Sequence, residues 1–407
     1  MTNAPLRPLW AGRALALLGI VAVAFNLRTA VASLSPILVQ LERDIPLTAV
    51  AVGFLGMLPP LCYALFGIVT PVLARRAGLE VTLIAALAAL VVGLAGRGLA
   101  PSAGLLLAAS ALTFAAIGVG NVLLPPLVKR YFPERIGLMT TVYVTAMSVS
   151  TFLPPLVAVP VADAAGWRVS LASWAVLALL SIVPWVALLV HPRREVPAEF
   201  PEEAEPGLLR RAFRSPLAWA LAVVFAVSGF NAYALFAWLP VILQETAGSS
   251  PLEAGALLSL FAATGLPAAL AVPVLAARRG AVRVLVAVGS AGIVLGYLGL
   301  ILAPATATWL WVGLAGIGPL FFPLALVLIN LRTRTHAGAV ALSGFVQSVG
   351  YVAVAVGPLA VGLLHDATGA WTVPLLLLLA SAVPAAIGGA IVARPRFFED
   401  EGARTPD

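Results

Sequence analysis

Twelve times along its length the chain runs through roughly 20 predominantly apolar residues, and the connections between these runs are short and carry most of the charge. A helix of that length matches the hydrocarbon core of a bilayer. In lipid every backbone N–H and C=O must be satisfied internally, so only helices and closed barrels cross. Barrel strands alternate polar and apolar residues over about 10 positions. Runs such as VTLIAALAALVVGLAG (81–96) show no such alternation. The expected class is therefore all-α integral membrane, with twelve transmembrane helices. Composition agrees, with 61% hydrophobic residues, 10% charged residues and a mean hydropathy of +1.06.

The spans are read as 14–41, 48–74, 81–97, 103–128, 137–162, 169–190, 216–243, 252–276, 283–302, 308–331, 339–364 and 371–393. The first is too long for a signal-peptide core and is read as a retained helix. Alternate loops then lie on opposite faces. One face, with both termini, holds 20 of the 24 Lys and Arg residues: Arg7, Arg13, Arg75, Arg76, Lys129, Arg130, Arg135, Arg193, Arg194, Arg210, Arg211, Arg214, Arg278, Arg279, Arg283, Arg332, Arg334, Arg394, Arg396 and Arg404. The other holds Arg43, Arg97 and Arg168. The positive-inside rule makes both termini cytoplasmic. The same bias accounts for the pI near 10.3 without nucleic acid as a partner. The single cysteine, Cys62, lies in LPPLCYALF and reads as a buried, inert thiol.

The chain repeats itself. PVLARRAG (71–78) matches PVLAARRG (273–280), GVGNVLLPPL (118–127) matches GIGPLFFPLA (316–325), and PPLVAVPVADAAGW (154–167) resembles GPLAVGLLHDATGAW (357–371). FNLR (25–28) has a weaker echo in FNAY (230–233). The matches fall in order at a nearly fixed distance of about 200 residues, which defines two parallel six-helix pseudo-repeats. The expected organisation is an N-terminal bundle over 1–190, a cytoplasmic linker over 191–215 rich in Pro and Glu, and a C-terminal bundle over 216–407. The end of the linker, GLLRRAFRS, has the character of an interfacial helix. Such duplications place a substrate site between the halves near the midplane.

Arg28 interrupts the first span about halfway along. A central Arg costs about 2.5–3.5 kcal/mol on insertion scales. Every Asp and Glu falls in a loop or at a helix end, so no counter-ion is evident. A water-filled cavity, backbone carbonyls of a broken helix, or an anionic ligand remain as partners, and guanidinium donors suit planar anions. Asn26, Thr29 and Ser33 form one stripe of the helix, and Arg28 and Ser35 another. Asn121, Asn231 and Gln347 are the other amides in mid-span. Ser343, Gln347 and Tyr351 share a face, as do Ser228, Asn231 and Trp238. An aromatic ring beside an amide suits a small, polar, planar ligand, while interhelical hydrogen bonding explains such residues equally well. The substrate-binding candidates are therefore Arg28, Asn26, Asn121, Asn231, Trp238, Gln347, Tyr351 and Ser343, with Tyr63, Tyr143 and Tyr233 as weaker ones. Arg75, Arg76, Lys129, Arg130 and Arg278 are candidates for gating at the cytoplasmic loops, or plain positive-inside anchors. His365 and Asp366 read as a solvated pair at the outer end of their span. The glycines and prolines of GFLGMLPPL, GVGNVLLPPL and STFLPPL are expected to interrupt their helices. No phosphate loop, metal-spaced His or Cys cluster or nucleophile elbow occurs, so no cofactor, metal or enzyme activity is expected.

Twelve spans in two halves joined by a central loop resemble the major facilitator superfamily. FNLRTAVASLSPIL (25–38), GNVLLPPLVKRYFPERIGLMT (120–140) and GWR (166–168) resemble its cyanate and 2-nitroimidazole transporter family. Two positions depart from the pattern: Thr29 stands where the family commonly has Pro, and LARRAGLE (73–80) carries Arg75 in place of the usual loop acid. The resemblance implies a major facilitator fold in a bacterial-type inner membrane. It implies transport of a small anion or nitrogen heterocycle by alternating access, in a functional monomer embedded in lipid. Importing one negative charge against the membrane potential costs about 2.3 kcal/mol per 100 mV. Entry with a coupling proton, exchange for a counter-anion, or facilitated flux would each meet that cost. The alternatives are proton-coupled efflux on the same fold and a ligand sensor that transports nothing. The first usually carries a glycine-rich span five, which this chain lacks, and the second lacks a signalling domain.

Overall fold

The computed structural model describes residues 13–190, 206–278 and 280–401. Arg7, Arg193, Arg194, Arg279 and Arg404, and 191–205 of the expected linker, lie outside the described residues.

Twelve helices are long and apolar enough to cross a membrane: span 1 Ala14–Glu42, span 2 Ala49–Ala77, span 3 Leu79–Leu99, span 4 Ala103–Tyr131, span 5 Pro133–Ala165, span 6 Trp167–Val190, span 7 Pro216–Ala247, span 8 Pro251–Ala276, span 9 Ala281–Leu302, span 10 Thr308–Leu331, span 11 His336–Thr368 and span 12 Thr372–Val392. They coincide with the twelve apolar runs to within a few residues. Hydroxyl caps start many of them. Thr48, Ser102, Ser215, Ser250 and Thr335 each accept a hydrogen bond from a backbone N–H of the following first turn. Spans 5 and 11 end at equivalent glycines, Gly166 (φ 87°) and Gly369 (φ 62°), a backbone conformation that other residues rarely adopt.

The double prolines do not break their helices. Spans 2, 4 and 5 run continuously through Pro59–Pro60, Pro125–Pro126 and Pro154–Pro155. Proline is tolerated within membrane spans where neighbouring groups satisfy the freed carbonyls. The breaks lie elsewhere. Span 1 is helical over Ala14–Ala32, passes through a 3-10 turn at Ser35–Ile37 and resumes over Leu38–Glu42. Pro36, which lacks an N–H, sits in that turn. Span 10 is broken in the same way at Gly318–Leu320, around Pro319.

One hydrophobic core is built almost wholly from residues 212–398, and a second from residues 16–185. Matching contacts recur in the two sets of six spans. Asn26 Nδ2 of span 1 donates to Ser181 Oγ of span 6 (2.9 Å), and Asn231 Nδ2 of span 7 donates to Ser381 Oγ of span 12 (2.9 Å). Trp167 Nε1 donates to Asp44 at the end of span 1 (2.9 Å), and Trp371 Nε1 donates to Glu245 at the end of span 7 (2.7 Å). The repetition read from the sequence thus extends to individual hydrogen bonds.

The two sets of spans meet most tightly at the end of the molecule with few arginines. A Cβ on Gly53 of span 2 would lie 2.9 Å from Leu359 Cα of span 11, and one on Gly56 would lie 2.7 Å from Pro358 Cβ. A Cβ on Gly255 of span 8 would lie 2.8 Å from the carbonyl oxygen of Pro155 in span 5. These glycines let helix backbones from opposite halves touch. The helix Pro206–Ala212 docks on the arginine-rich end, against span 11. Ala212 is fully buried, and Phe213 packs edge-on against Phe345 of span 11 at 4.9 Å between centroids.

Candidate functional site

Between the two sets of spans lies a cavity of about 380 Å³. Its walls come from spans 1, 5, 7, 8, 10 and 11. It begins at Arg28 in mid-span and extends to Pro273 and Val327, within a turn or so of the arginine-rich ends of spans 8 and 10. Its size falls within the usual range for small-molecule sites, about 300–1,000 Å³.

Arg28 is the cationic group of this lining, which contains no Asp or Glu. Its guanidinium carbon stands 5.7 Å from the centroid of the Tyr63 ring, and its Nη1 has no hydrogen-bond partner. No ion pair involves Arg28 among the described residues. Tyr63 is in edge contact with Tyr233 (6.5 Å) and Tyr351 (6.2 Å). Span 2 thus supplies the ring under the arginine, while spans 7 and 11 supply the two tyrosines of the cavity wall. Phe225, Phe236, Phe261 and Phe322 complete an aromatic lining. Such a chamber suits a small, flat solute, held at one end by a charge with free donors.

The predicted residues separate by helix face. The Arg28–Ser35 stripe of span 1 lines cavities, whereas Asn26, Thr29 and Ser33 are buried against neighbouring helices. Asn26 lies outside the cavity lining and pairs helices: besides Ser181 it binds the Ala22 carbonyl (2.8 Å). Asn231 lies outside it likewise. Its Nδ2 binds Ser381 and the Val227 carbonyl, and its Oδ1 accepts from the Tyr297 hydroxyl (2.7 Å). Trp238 does not face the cavity either. Its indole donates to the Pro358 carbonyl (2.8 Å) and its ring packs on Trp371. Asn121 binds the Ile117 carbonyl of its own helix (3.1 Å), and Gln347 donates to Ser343 (2.7 Å). None of Asn121, Gln347 and Ser343 belongs to the cavity lining, so of the face shared with Tyr351 only Tyr351 reaches it. In each case the polar group finds a partner in a helix, where leaving it unpaired is costly.

At the arginine-rich end, Arg130 pairs with Glu80 (3.2 Å), which also accepts from the Tyr131 hydroxyl (2.9 Å). This ties span 3 to span 4 and gives Glu80 a place despite the altered loop sequence. Arg75, Arg76, Lys129 and Arg278 are exposed there. At the other end His365 lies within span 11, stacked on Trp371 at 3.8 Å, rather than in a solvated loop.

Sequence reasoning missed Arg97. The charge bias groups it with the loop arginines, yet it lies in the last turn of the span 3 helix at 1% exposure. The signal lay in LAGRGLAPS, where Pro101 rather than Arg97 marks the end of the span.

The sequence profile of the Major Facilitator Superfamily matches residues 16–351, and the chain belongs to that family. It is 34% identical over 391 residues to the uncharacterized transporter YycB of Bacillus subtilis, covering 95% of each chain. It is 34% identical to the 2-nitroimidazole transporter of Escherichia coli, covering 88% of this chain and 90% of the relative. It is 26% identical to the cyanate transport protein CynX of the same organism, covering 87% and 90%. In fold it resembles a crystal structure of a bacterial homologue of the human lysosomal transporter Spinster, with a TM-score of 0.75 at 16% identity over 99% of this chain and 100% of that one. The protein is a multi-pass membrane transporter and not an enzyme.

Proposed function

We propose that the protein carries a small anion or a planar nitrogen-containing solute across a bacterial inner membrane by alternating access, with Arg28 as its anchor. The observation that carries this reading is the guanidinium of Arg28 in the cavity wall, without a carboxylate partner and ringed by Tyr63, Tyr233 and Tyr351. A half-buried cation in mid-membrane that no protein anion neutralises favours an anionic or electron-rich ligand, and the tyrosine rings offer flat surfaces to sandwich it. Cyanate and 2-nitroimidazole, named for two relatives, are both small and unsaturated.

In this reading the bundles 1–190 and 216–407 rock about the cavity, joined by the linker 191–215. The excess of arginine at one end orients that end, with both termini, to the cytoplasm. The seal at Gly53, Gly56 and Gly255 then closes the outside, and the cavity faces inward. The cavity offers no carboxylate to carry a proton. Charge balance would come from a proton travelling on the solute, from exchange for another anion, or from flux down a gradient.

The test is ligand-induced thermal stabilisation of the purified protein. The probes are cyanate, nitrate, nitrite, formate, larger carboxylates and 2-nitroimidazole, with wild type beside Arg28→Ala and Arg28→Lys. Wild type is expected to be stabilised by at least one small probe, and affinity to fall at least about tenfold in both variants, or about 1.4 kcal/mol. Lysine is expected to fail because it cannot present two coplanar donors. Equal stabilisation of wild type and both variants would remove Arg28 from the site.

A further inference from the structure

A second, smaller cavity of about 30 Å³ adjoins the first on the arginine-poor side. Val31, Tyr233 and Phe236 line both and form the partition. Beyond the small cavity Gly56, which lines it, abuts Pro358 in the seal between the halves. Two buried polar groups line it without a complete set of partners. Arg97 of span 3, 1% exposed, donates from Nη1 to the Ala30 carbonyl (3.2 Å), and its Nε has no partner. Ser35 of span 1, 5% exposed, leaves its Oγ unpaired. The guanidinium lies against the Phe114 ring (5.8 Å), and the lining contains no Asp or Glu.

We propose that Arg97 and Ser35 form a second binding station for a small monovalent anion, between the seal and Arg28, reached from the arginine-poor side when the seal parts. This inference rests on the reading of the solute as anionic. The bond to Ala30 gives Arg97 a structural task, shared with the Ser33 hydroxyl that donates to the same carbonyl (3.4 Å), since the break in span 1 leaves the last carbonyls of its first helix without backbone N–H partners. That task uses one donor of five. It needs neither a full charge in lipid nor the Ser35 hydroxyl beside it, and uncharged donors cap helices as well. A wall with cationic donors, a hydroxyl and an aromatic edge, and no acid, is the chemistry of an anion site. The present volume of about 30 Å³ accommodates two or three waters at about 10–15 Å³ each, and the seal beyond it is shut, so the station receives its anion only as the seal opens. From there, movement past Val31, Tyr233 and Phe236 delivers the ion to Arg28.

The experiment measures cyanate and nitrate transport by the full chain in vesicles of both orientations at about pH 6, with 2-nitroimidazole, which keeps its ring N–H proton and is mostly neutral there, as the uncharged probe. Arg97→Gln keeps a donor for Ala30 and removes the charge, and Ser35→Ala removes the hydroxyl. Each is expected to raise the anion KM at least about fivefold for entry from the arginine-poor side. The KM from the arginine-rich side and that for 2-nitroimidazole should stay within about twofold, with Arg97→Lys intermediate. A merely structural Arg97 would change both directions and both probes together, or only the melting temperature, and that result overturns the station. If Arg97→Gln fails to accumulate, Ser35→Ala decides by the same criterion. If Arg28→Ala abolishes anion transport while the Arg97 and Ser35 variants leave every KM unchanged, the station falls and the function stands. If wild type moves no anion from either side, both fall.

Discussion

Asn26 and Asn231 occupy equivalent places in the two halves and differ in one bond. Both donate to a serine on the last span of their half, but only Asn231 also accepts, from the buried hydroxyl of Tyr297. Asn26 Oδ1 has no partner. Replacing Asn231 by alanine therefore strands the Tyr297 hydroxyl, whereas replacing Asn26 strands none, since Ser181 and Ser381 keep their own bonds to the Leu177 and Leu378 carbonyls. Hydrogen bonds between membrane helices contribute about 0.6–2 kcal/mol. Asn231→Ala is expected to lower stability by about 2 kcal/mol and Asn26→Ala by about 1 kcal/mol, as measured by thermal or denaturant unfolding in detergent, with ligand affinity unchanged in both. A loss of affinity at unchanged stability would return either residue to the site. This pair also explains how far the site was legible. Arg28 stood out because a charge in mid-span has few tolerable explanations. An amide in mid-span has two, glue and ligand contact, and the sequence does not distinguish them. Tyrosines that flank Arg28 come from three separate spans, so no local spacing announces them. Arg97 was hidden by its position at the end of an apolar run, where an arginine ordinarily reaches the headgroups.

Among the elements, the twelve spans were legible almost to their ends because bilayer thickness fixes their length. The short segments were not, since few residues fix their fold and tertiary contacts decide it. The segment 394–401 crosses the arginine-rich end and caps two helices at once. Glu399 Oε1 accepts from the backbone N–H groups of Arg334 (3.0 Å) and Thr335 (3.1 Å) at the start of span 11. Glu401 Oε2 accepts from Ser215 Oγ (2.5 Å) and Leu217 N (3.3 Å) at the start of span 7. Asp400 pairs with Arg334 through both oxygens (2.6 and 3.0 Å), and Phe398 is fully buried beneath. Carboxylates at helix N-termini are favoured by the helix dipole. Burial by itself would raise the Glu399 carboxyl, but the backbone N–H groups of Glu399, Arg334 and Thr335 outweigh it and hold the group below the ordinary glutamate value. A carboxyl with a depressed native pKa stabilises the fold above its unfolded pKa, about 4.3 for glutamate, and loses that effect as pH falls through the native value. Melting curves from pH 7 to 3.5 should show wild type above Glu399→Ala at neutral pH, with the gap closing below about pH 4.3. A gap independent of pH would mean that the side chain acts by packing alone.

For the whole molecule, repetition in the sequence was enough to expect two equivalent halves, because matched motifs recur at a fixed distance. The conformation was not legible, since it depends on which ends of the halves touch, and that is a property of both halves together. The contact surface explains why glycine recurs there: at Gly53, Gly56 and Gly255 a methyl group would meet the opposite half at 2.7–2.9 Å. Those contacts exist only while the arginine-poor end is closed, so bulk at these positions penalises this state and leaves an open one untouched. Overpacking costs about 1–3 kcal/mol, which shifts a two-state balance by about 5–150-fold. Gly56→Leu is expected to move the protein toward a state open at the arginine-poor end. The readout is maleimide labelling of Leu34→Cys, which lines the small cavity at 8% exposure, in a Cys62→Ala background that removes the single native thiol. Labelling from the arginine-poor side should accelerate at least about fivefold when Gly56→Leu is added, while a cysteine at Val327 in the large cavity becomes slower to label from the opposite side. Reciprocal change at the two positions is what alternating access requires. If Leu34→Cys accelerates while Val327→Cys is unaffected, the substitution has loosened the seal without coupling the two ends, and the glycine contacts are packing rather than a gate.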